Sequence, residues 1–392
     1  MSFKLVENGS RAKIKVFGVG GGGGNAVNTM VESKIQGVDF IVGNTDLHAL
    51  ENSLADIKVQ LGPIRSRGLG AGADPEVGRE AAEESIEEIR KVLKGSDMVF
   101  ITAGMGGGTG TGAAPVVARI SKELGALTVA VVTKPFSFEG RSRLKAAEAG
   151  WQRLREHVDT IITIPNNRLV SLAQKGCSFK DSMKMADDVL VQAVKGITDL
   201  INLHGYINPD FADVKAVMNC AGPALMGAGL GFGENRAIEA VNMAIASPLL
   251  QDISIDGAKA VLVNISARED SLTMADVTEA TTRIQEEVHE DAKIILGVVF
   301  DPTLAEGLRV TVIATGIRQV EFAEPIPDRV NLPLRKKESV IQPLPFNGAE
   351  GISGNNNGNH PANQPAKRKP FAGPFLDEEQ LDRPTFLRRN EN

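Results

Sequence analysis

The sequence predicts an α/β fold in which a mostly parallel sheet, flanked by helices, is joined by one long helix to a smaller α+β unit. Three observations carry this. Short β-branched runs alternate with amphipathic stretches through the first half. A single long apolar stripe at helical spacing follows, within residues 181–205. A second set of strand-like and helix-like segments then resumes and ends near Gly316.

AKIKVFG is the first strand. It runs into GVGGGGGNAVNTMVES, a glycine turn with an unbroken run from Gly20 to Gly24 and a helix expected from about Asn25. EVGREAAEESIEEIRKVLKG reads as one helix, with Asp74 as its N-cap and Pro75 in its first turn. SDMVFITA is a strand leading into AGMGGGTGTGAAP, and AAPVVARISKELG is the helix after it, starting near Ala113. ALTVAVVT and DTIITIP are further strands. In the long helix Met183, Ala186, Val189, Leu190, Ala193, Val194, Ile197 and Ile201 form one apolar stripe, the pattern of a core face. NPDFADVKAVM then suits a helix with Asn208 as N-cap and Pro209 at the first position. Beyond it KAVLVNISA, AKIILGVVF and LRVTVIATG are strands, with ENRAIEAVNMAIA and MADVTEATTRIQEEVHE as helices between them.

From about Ile317 the chain turns rich in Pro, Asn, Gly and Gln, too polar for a core. Leu376, Leu381, Phe386 and Leu387 return apolar character at the end, as in a short motif that folds onto a partner, although a frayed tail has the same composition. The expected division is 1–11 flexible N-terminus, 12–181 nucleotide-binding domain, 182–204 central helix, 205–316 α+β domain, 317–376 disordered linker and 377–392 partner-binding peptide.

Composition excludes some classes. No apolar stretch approaches the roughly 20 residues of a membrane span, and the N-terminus lacks the layout of a signal peptide, so a cytosolic protein is expected. Cys177 and Cys220 form no metal or redox spacing and read as free thiols. The 43 basic residues are outnumbered by 49 acidic ones, which argues against nucleic acid as the partner.

The loop Ala103 to Pro115 looks built for phosphate yet has no charged residue; the nearest cations are Lys94 and Arg119, where a P-loop would supply its own lysine. Backbone N–H groups and a helix N-terminus can hold an anion without it. Thr109 and Thr111 can add hydroxyls, and a divalent cation would offset the remaining charge. The other turn matches GxGxxG at Gly18, Gly20 and Gly23, with Asp46 placed as a ribose-binding acid would be in a dinucleotide fold. Either turn alone is also what tight strand-on-helix packing needs. Two in one sheet suit the several phosphates of a nucleoside triphosphate better than one dinucleotide.

GGGTGTG at Gly106 to Gly112 resembles the tubulin signature loop. Together with GVGGGGGNAV, GLGAGADPEVG, TKPFSFEG, NPDFADV and the closing LDRPTFLRR, it makes the chain similar to the FtsZ family of bacterial tubulin-homologue cell-division GTPases from about residue 12 to 316. The resemblance implies a tubulin/FtsZ-like fold binding GTP or GDP with Mg²⁺. It implies nucleotide contacts from Gly21, Gly22, Gly23, Gly24 and Asn25 and from Gly108, Thr109 and Gly110. It places Glu139 and Arg143 at the ribose and phosphate end, Asn166 and Asp187 at guanine, and Ala71 to Asp74 near the γ-phosphate. It implies no protein metal ligand, head-to-tail self-assembly, membrane-tethering and regulatory partners through Asp377 to Arg389, and a place in the mid-cell ring beneath the inner membrane.

Without the resemblance, Glu139 and Arg143 read equally as a solvated pair, and Asp210 and Asp213 as acids that favour a helix N-terminus. With it, Asn208, Asp210 and Asp213 match the family's catalytic loop, which orients the attacking water. The helix from Asp187 to Leu203 should carry them roughly 25 Å away from their own nucleotide. The expectation is that they complete the site of the next subunit in a filament.

Overall fold

A computed structural model describes residues 12–172, 178–203, 205–220, 222–250 and 257–317. The expected N-terminal arm, the linker after its first residue Ile317, which is buried, and the terminal peptide lie outside these residues, as does Cys177. Strands β1 (Ile14–Val19), β2 (Val38–Asn44), β3 (Ile57–Gln60), β4 (Met98–Gly104), β5 (Leu127–Lys134) and β6 (Thr160–Pro165) are all parallel, in the order β3-β2-β1-β4-β5-β6. The winding direction reverses between β1 and β4, and the crevice beyond such a reversal is where an open α/β sheet binds ligands.

Helices α1 (Gly20–Glu32), α2 (Leu47–Glu51), α3 (Pro75–Glu84), α4 (Ile86–Leu93), α5 (Thr109–Glu123), α6 (Arg141–Arg155) and α7 (Asn166–Leu172) complete this half. Asp74 caps α3 as its pairing with Pro75 predicts, its carboxylate accepting from the Glu76 amide at 2.9 Å. The single helix expected there is two. Ser85 breaks it, because its hydroxyl is spent on the β3 end, accepting from Gly62 N at 3.0 Å and donating to Gln60 O at 3.3 Å. Two further starts come earlier than expected. α1 begins at Gly20 and α5 at Thr109, so the glycine runs are helical first turns.

Helix α8 spans Phe179–Asn202, capped by Ser178, whose hydroxyl accepts from Asp181 N at 3.1 Å. Its apolar stripe is core as predicted at Ala186, Leu190, Ala193, Val194 and Ile197, but Met183 is exposed. At its far end Asn202 donates to the carbonyls of Gln36 and Gly37, both at 3.2 Å, just before β2 begins. α8 therefore runs the length of the sheet. A buried ionic cluster fixes it to the second half: Lys195 lies 2.9 Å from Asp301, which Arg309 also approaches at 3.4 Å. Burial would raise the Asp301 carboxyl, but hydrogen bonds from Thr303 and Lys195 outweigh it and hold it at about 2.

The second half contains β7 (Gly205–Ile207), α9 (Phe211–Met218), β8 (Gly222–Gly231), α10 (Arg236–Ile245), β9 (Ala260–Ala267), α11 (Met274–Glu287), β10 (Lys293–Phe300) and β11 (Leu308–Thr315). Its strands continue the same sheet in the order β8-β11-β9-β10-β7, because the first residues of β8 pair with β6. The core beneath α8 is likewise continuous, joining Met30 and Phe100 to Val214, Leu262 and Ile313. Phe17, Ile101, Ile120 and Trp151 fill the opposite face, while Val241, Val263, Ile284 and Val312 pack around α10 and α11.

The sequence reading named neither β2, β3, β7 nor β8. GPALMGAGLG has no β-branched residue, and α10 is the reason. A Cβ on Gly227, Gly229 or Gly231 would stand 2.1, 2.0 and 2.0 Å from the carbonyls of Ala244, Ala240 and Arg236. From Gly227 to Gly231 the strand is glycine at every second position so that the helix backbone can rest on it. Gly229→Ala should accordingly cost on the order of 1–3 kcal/mol by overpacking. Gly107→Ala, where nothing stands within 4 Å, should change stability by less than about 0.5 kcal/mol. Chemical denaturation of the two variants checks this.

Candidate functional site

Both glycine turns leave the carboxyl ends of the adjacent strands β1 and β4, and they meet. A Cβ on Gly20, which holds φ +71°, would stand 2.8 Å from Gly110 N. One on Gly22 would stand 3.2 Å from Gly104 N and Cα, and one on Gly23 would stand 2.3 Å from Thr102 O. The N-termini of α1 and α5 thus converge on one point, bringing two sets of unpaired N–H groups and two positive dipole ends together.

The glycines divide into two kinds. Gly21, Gly72 and Gly107 face open space. Gly108 and Gly110 do not: a Cβ on Gly108 would meet Ala71 Cβ at 2.8 Å and Asp74 N and O at 3.0 Å, and one on Gly110 would meet Gly104 O at 2.6 Å. Their glycine requirement comes from protein packing, not from room for a ligand. The loop that closes on Gly108 carries Arg67, Gly68, Gly70, Gly72 and Ala73 at positive φ, which brings Ala71 and Asp74 against α5.

The threonines differ from expectation too. Thr111 is buried, its hydroxyl oxygen accepting from Gly106 N at 2.8 Å, so it shapes the loop and is not offered to a ligand. Thr109 shares a 2.6 Å hydrogen bond with Thr45 at the end of β2. Thr45 was missed in the sequence; its only signal was the GNTD run, read for Asp46 alone. The Asp46 carboxylate caps α2, accepting from His48 N at 2.9 Å, which removes the feature that favoured a dinucleotide site.

On the β5 side Glu139 and Arg143 form an ion pair, and the other Glu139 oxygen accepts from Phe136 N at 2.9 Å. A Cβ on Gly106 would lie 2.8 Å from Arg143 O, so the pair borders the glycine loop. At the end of β6, Asn166 is 5% exposed and its side-chain oxygen has no hydrogen-bond partner. A buried unpaired amide oxygen, like the buried Thr102 hydroxyl that also lacks a partner, is costly and is met by a water or by a donor from outside the chain. Asp187, half-buried on α8, is raised to about 6, by burial first and by the charge of Asp188 second. Open glycines, converging amides, an orphaned acceptor and a desolvated carboxylate suit a purine nucleotide with several phosphates. Asn25 is exposed on the first turns of α1, and Gly24 is buried beside Val42.

The acids lie elsewhere. Asp210, not Asn208, caps α9, its carboxylate accepting from Asp213 N at 2.7 Å. Asn208 and Pro209 stay outside the helix, because the Asp210 side chain satisfies the first free amides better from a position nearer the apolar residues Val214 and Val217. Asp213 stands 3.7 Å from Lys293, the first residue of β10. β10 runs in the same sense as β4 and lies six strands from it, roughly 29 Å at ~4.8 Å per strand. Lys293 opens its strand whereas Gly104 closes β4. The acids and the glycine turns therefore occupy opposite ends and distant columns of one sheet. Among the described residues no cluster of three or more His, Cys, Asp or Glu forms a metal site, and no helix is long and apolar enough to cross a membrane.

Comparison with known proteins bears on this geometry. Residues 13–174 match the model of the Tubulin/FtsZ family GTPase domain, and residues 222–318 that of the FtsZ family C-terminal domain. The chain is 51% identical over 342 residues to the cell division protein FtsZ of Azotobacter vinelandii, covering 87% of this chain and 84% of the relative. It is 53% identical over 322 residues to cell division protein FtsZ 2 of Rhizobium meliloti, covering 82% and 93%. Among solved structures it resembles an empty FtsZ dimer of M. jannaschii, with TM-score 0.76, 47% identity and 79% and 89% coverage. CetZ1 of Haloferax volcanii, at 23% identity and TM-score 0.69, shares the fold over 79% of this chain and 96% of its own.

The Asp187 environment makes a pH-dependent prediction. A carboxyl raised above its ordinary 3.8 adds relative stability while protonated and loses it as pH rises through about 6. Asp187→Asn should therefore stabilise the nucleotide-free protein at pH 7.5 by roughly 1–2 kcal/mol, allowing for solvent screening. The gain should shrink as pH falls toward 4. Thermal unfolding at the two pH values reads it, and a pH-independent difference contradicts it.

Proposed function

The chain belongs to the FtsZ family of tubulin-like GTPases, and from that premise we propose how its residues divide the work of a polymerising cell-division GTPase. The amides of Gly21 to Asn25 and of Gly108 to Gly110 hold the phosphates of GTP, and Gly107 adds open backbone to the same surface. Glu139 and Arg143 hold the ribose and phosphate end. Asn166 and Asp187 read guanine, whose N1–H and amino group are donors that match an orphaned amide oxygen and a carboxylate. Adenine presents an acceptor at the corresponding edge and is repelled. Mg²⁺, when bound with the nucleotide, offsets phosphate charge beside the 71–74 loop.

Asn208, Asp210 and Asp213 orient and polarise the attacking water. One Asp210 oxygen is committed to Asp213 N, which fixes the carboxylate while leaving its second oxygen to accept from water. Phosphoryl transfer needs such positioning and charge stabilisation more than a covalent nucleophile. One observation carries the reading: the acids and the glycine turns lie at opposite ends of the same chain. A head-to-tail contact brings the acids of one subunit to the nucleotide of the next, and its repetition gives a filament in which assembly switches on hydrolysis. The peptide Asp377 to Arg389 is proposed to bind membrane-tethering and regulatory division proteins, holding the filament at the cytoplasmic face of the inner membrane.

Two inactive variants test the division of labour. Thr109→Arg fills the nucleotide cradle and leaves the acids; Asp213→Ala keeps the cradle and loses an acid, at a cost of roughly 10²–10³ in rate. Mixed filaments contain interfaces where both halves are intact, so phosphate release should recover on mixing, once sedimentation shows that the two subunits co-assemble. Activity equal to the weighted sum of the separate variants sinks the reading. Independently, Gly21→Val and Gly107→Val should weaken GTP binding by an order of magnitude or more with little change in Tm, because their side chains enter the open space over the cradle.

A further inference from the structure

The helix that carries the acids is held at its other end by two buried threonines from different parts of the sheet. Thr160, the first residue of β6, donates its hydroxyl to the Met218 carbonyl, and Thr315, the last residue of β11, donates to the Val217 carbonyl at 2.9 Å. Val217 and Met218 are the last two residues of α9, where carbonyls run short of helical donors; the Val217 carbonyl also accepts from the Cys220 amide at 3.2 Å, and the Thr315 hydroxyl also reaches Ala260 O at 3.3 Å. Thr160 and Thr315 are 1% and 0% exposed, so water does not stand in for either hydroxyl. Val214, Val217 and Met218 beneath the helix are fully buried. Asp210 caps the opposite end at 2.7 Å. α9 is thus fixed at both ends, and of the two outer anchors one belongs to the strand that leads to Asn166.

We propose that Thr160 and Thr315 are positioning residues for hydrolysis: they set the seating of α9 and so the placement of Asp210 and Asp213 at the neighbouring subunit's nucleotide. This rests on the shared-site reading above. β6 has Thr160 at one end and leads to Asn166 at the other, so the strand that presents the orphaned base-site acceptor also seats the acids. A hydroxyl-to-methyl change at Thr160 keeps the β-branch and the packing but takes the hydroxyl donor from the buried Met218 carbonyl; at Thr315 it removes one of the donors to Val217, and either change reseats the helix end. Displacements of about 1 Å at a reacting centre cost on the order of 10²-fold in rate.

The test is directional. Thr160→Val should retain GTP affinity and filament formation and lower turnover on the order of 10- to 100-fold, while Thr160→Ser, which keeps the donor, should restore most of it. A general loss of stability does not know which side of an interface it affects, so the decisive arms place the substitution on one side only. In filaments mixing Thr109→Arg acid donors with Asp213→Ala pocket donors, Thr160→Val added to the acid donor should abolish most of the recovered phosphate release. Added to the pocket donor it should leave the recovery intact. Equal losses in both arms, or no loss in either, overturn the proposal. Should Thr160→Val not fold, Thr315→Val in the same two arms decides it, with the same readings. Absence of recovery in the parent pair, without either threonine change, refutes the shared site itself and the positioning role with it.

Discussion

Everything at the nucleotide end depends on how closely two helix N-termini can approach two strand ends. Gly20 against Gly110, Gly22 against Gly104 and Gly23 against Thr102 O leave no room for a Cβ, so the backbones themselves are in contact. That contact aims two helix dipoles at one place without a lysine. The same principle repeats where α5 meets α3: a Cβ on Gly112 would lie 1.9 Å from Pro75 O, and one on Gly78 would lie 2.4 Å from Gly108 O. It recurs between α10 and β8. Among the described glycines of the two turns and the loop against them, most are packing residues, and the open positions Gly21, Gly72 and Gly107 stand out because their neighbours are so tightly closed.

The second constraint is distance. From Asp187 to Asn202 beside Gly37, α8 rises roughly 22 Å over the intervening turns. The sheet continues from β6 into β8, so the acids are held at the far end by a rigid body. The cluster of Lys195, Asp199, Asp301 and Arg309 ties the helix to the second half along the way. Burial leads the causes that raise Asp199 to about 6, against the pull of Lys195. On the proposed reading, acids held this far from the glycine turns of their own chain serve the nucleotide of the next copy.

Much of this was legible in the sequence, and the failures have physical causes. Strands β1, β4, β5 and β6, the Asp74 cap and the apolar face of α8 follow from periodicity and local hydrogen bonding, which the sequence records directly. The starts of α1 and α5 did not, because propensity counts glycine against helix, and here tertiary contact overrides it. β8 was hidden because α10 removed the side chains that mark a strand. Position 108 is glycine because a Cβ there would meet Ala71 and Asp74, and the Thr111 hydroxyl is spent on Gly106 N; residue type shows that a close approach exists, not what approaches. Thr160 and Thr315 carried no pattern at all and Thr45 only the GNTD run, since each acts on a residue distant in the chain. The orphaned oxygen of Asn166 becomes visible only when burial is known.

The central claim is that one chain cannot hydrolyse GTP alone. Phosphate release per subunit, measured across a wide range of protein concentration alongside bound nucleotide, tests it most directly. The account predicts that GTP stays bound on dilution while release per subunit falls to near zero below a threshold concentration, and rises steeply above it as filaments form. Release per subunit that stays constant down to concentrations at which the protein sediments as a monomer would contradict it.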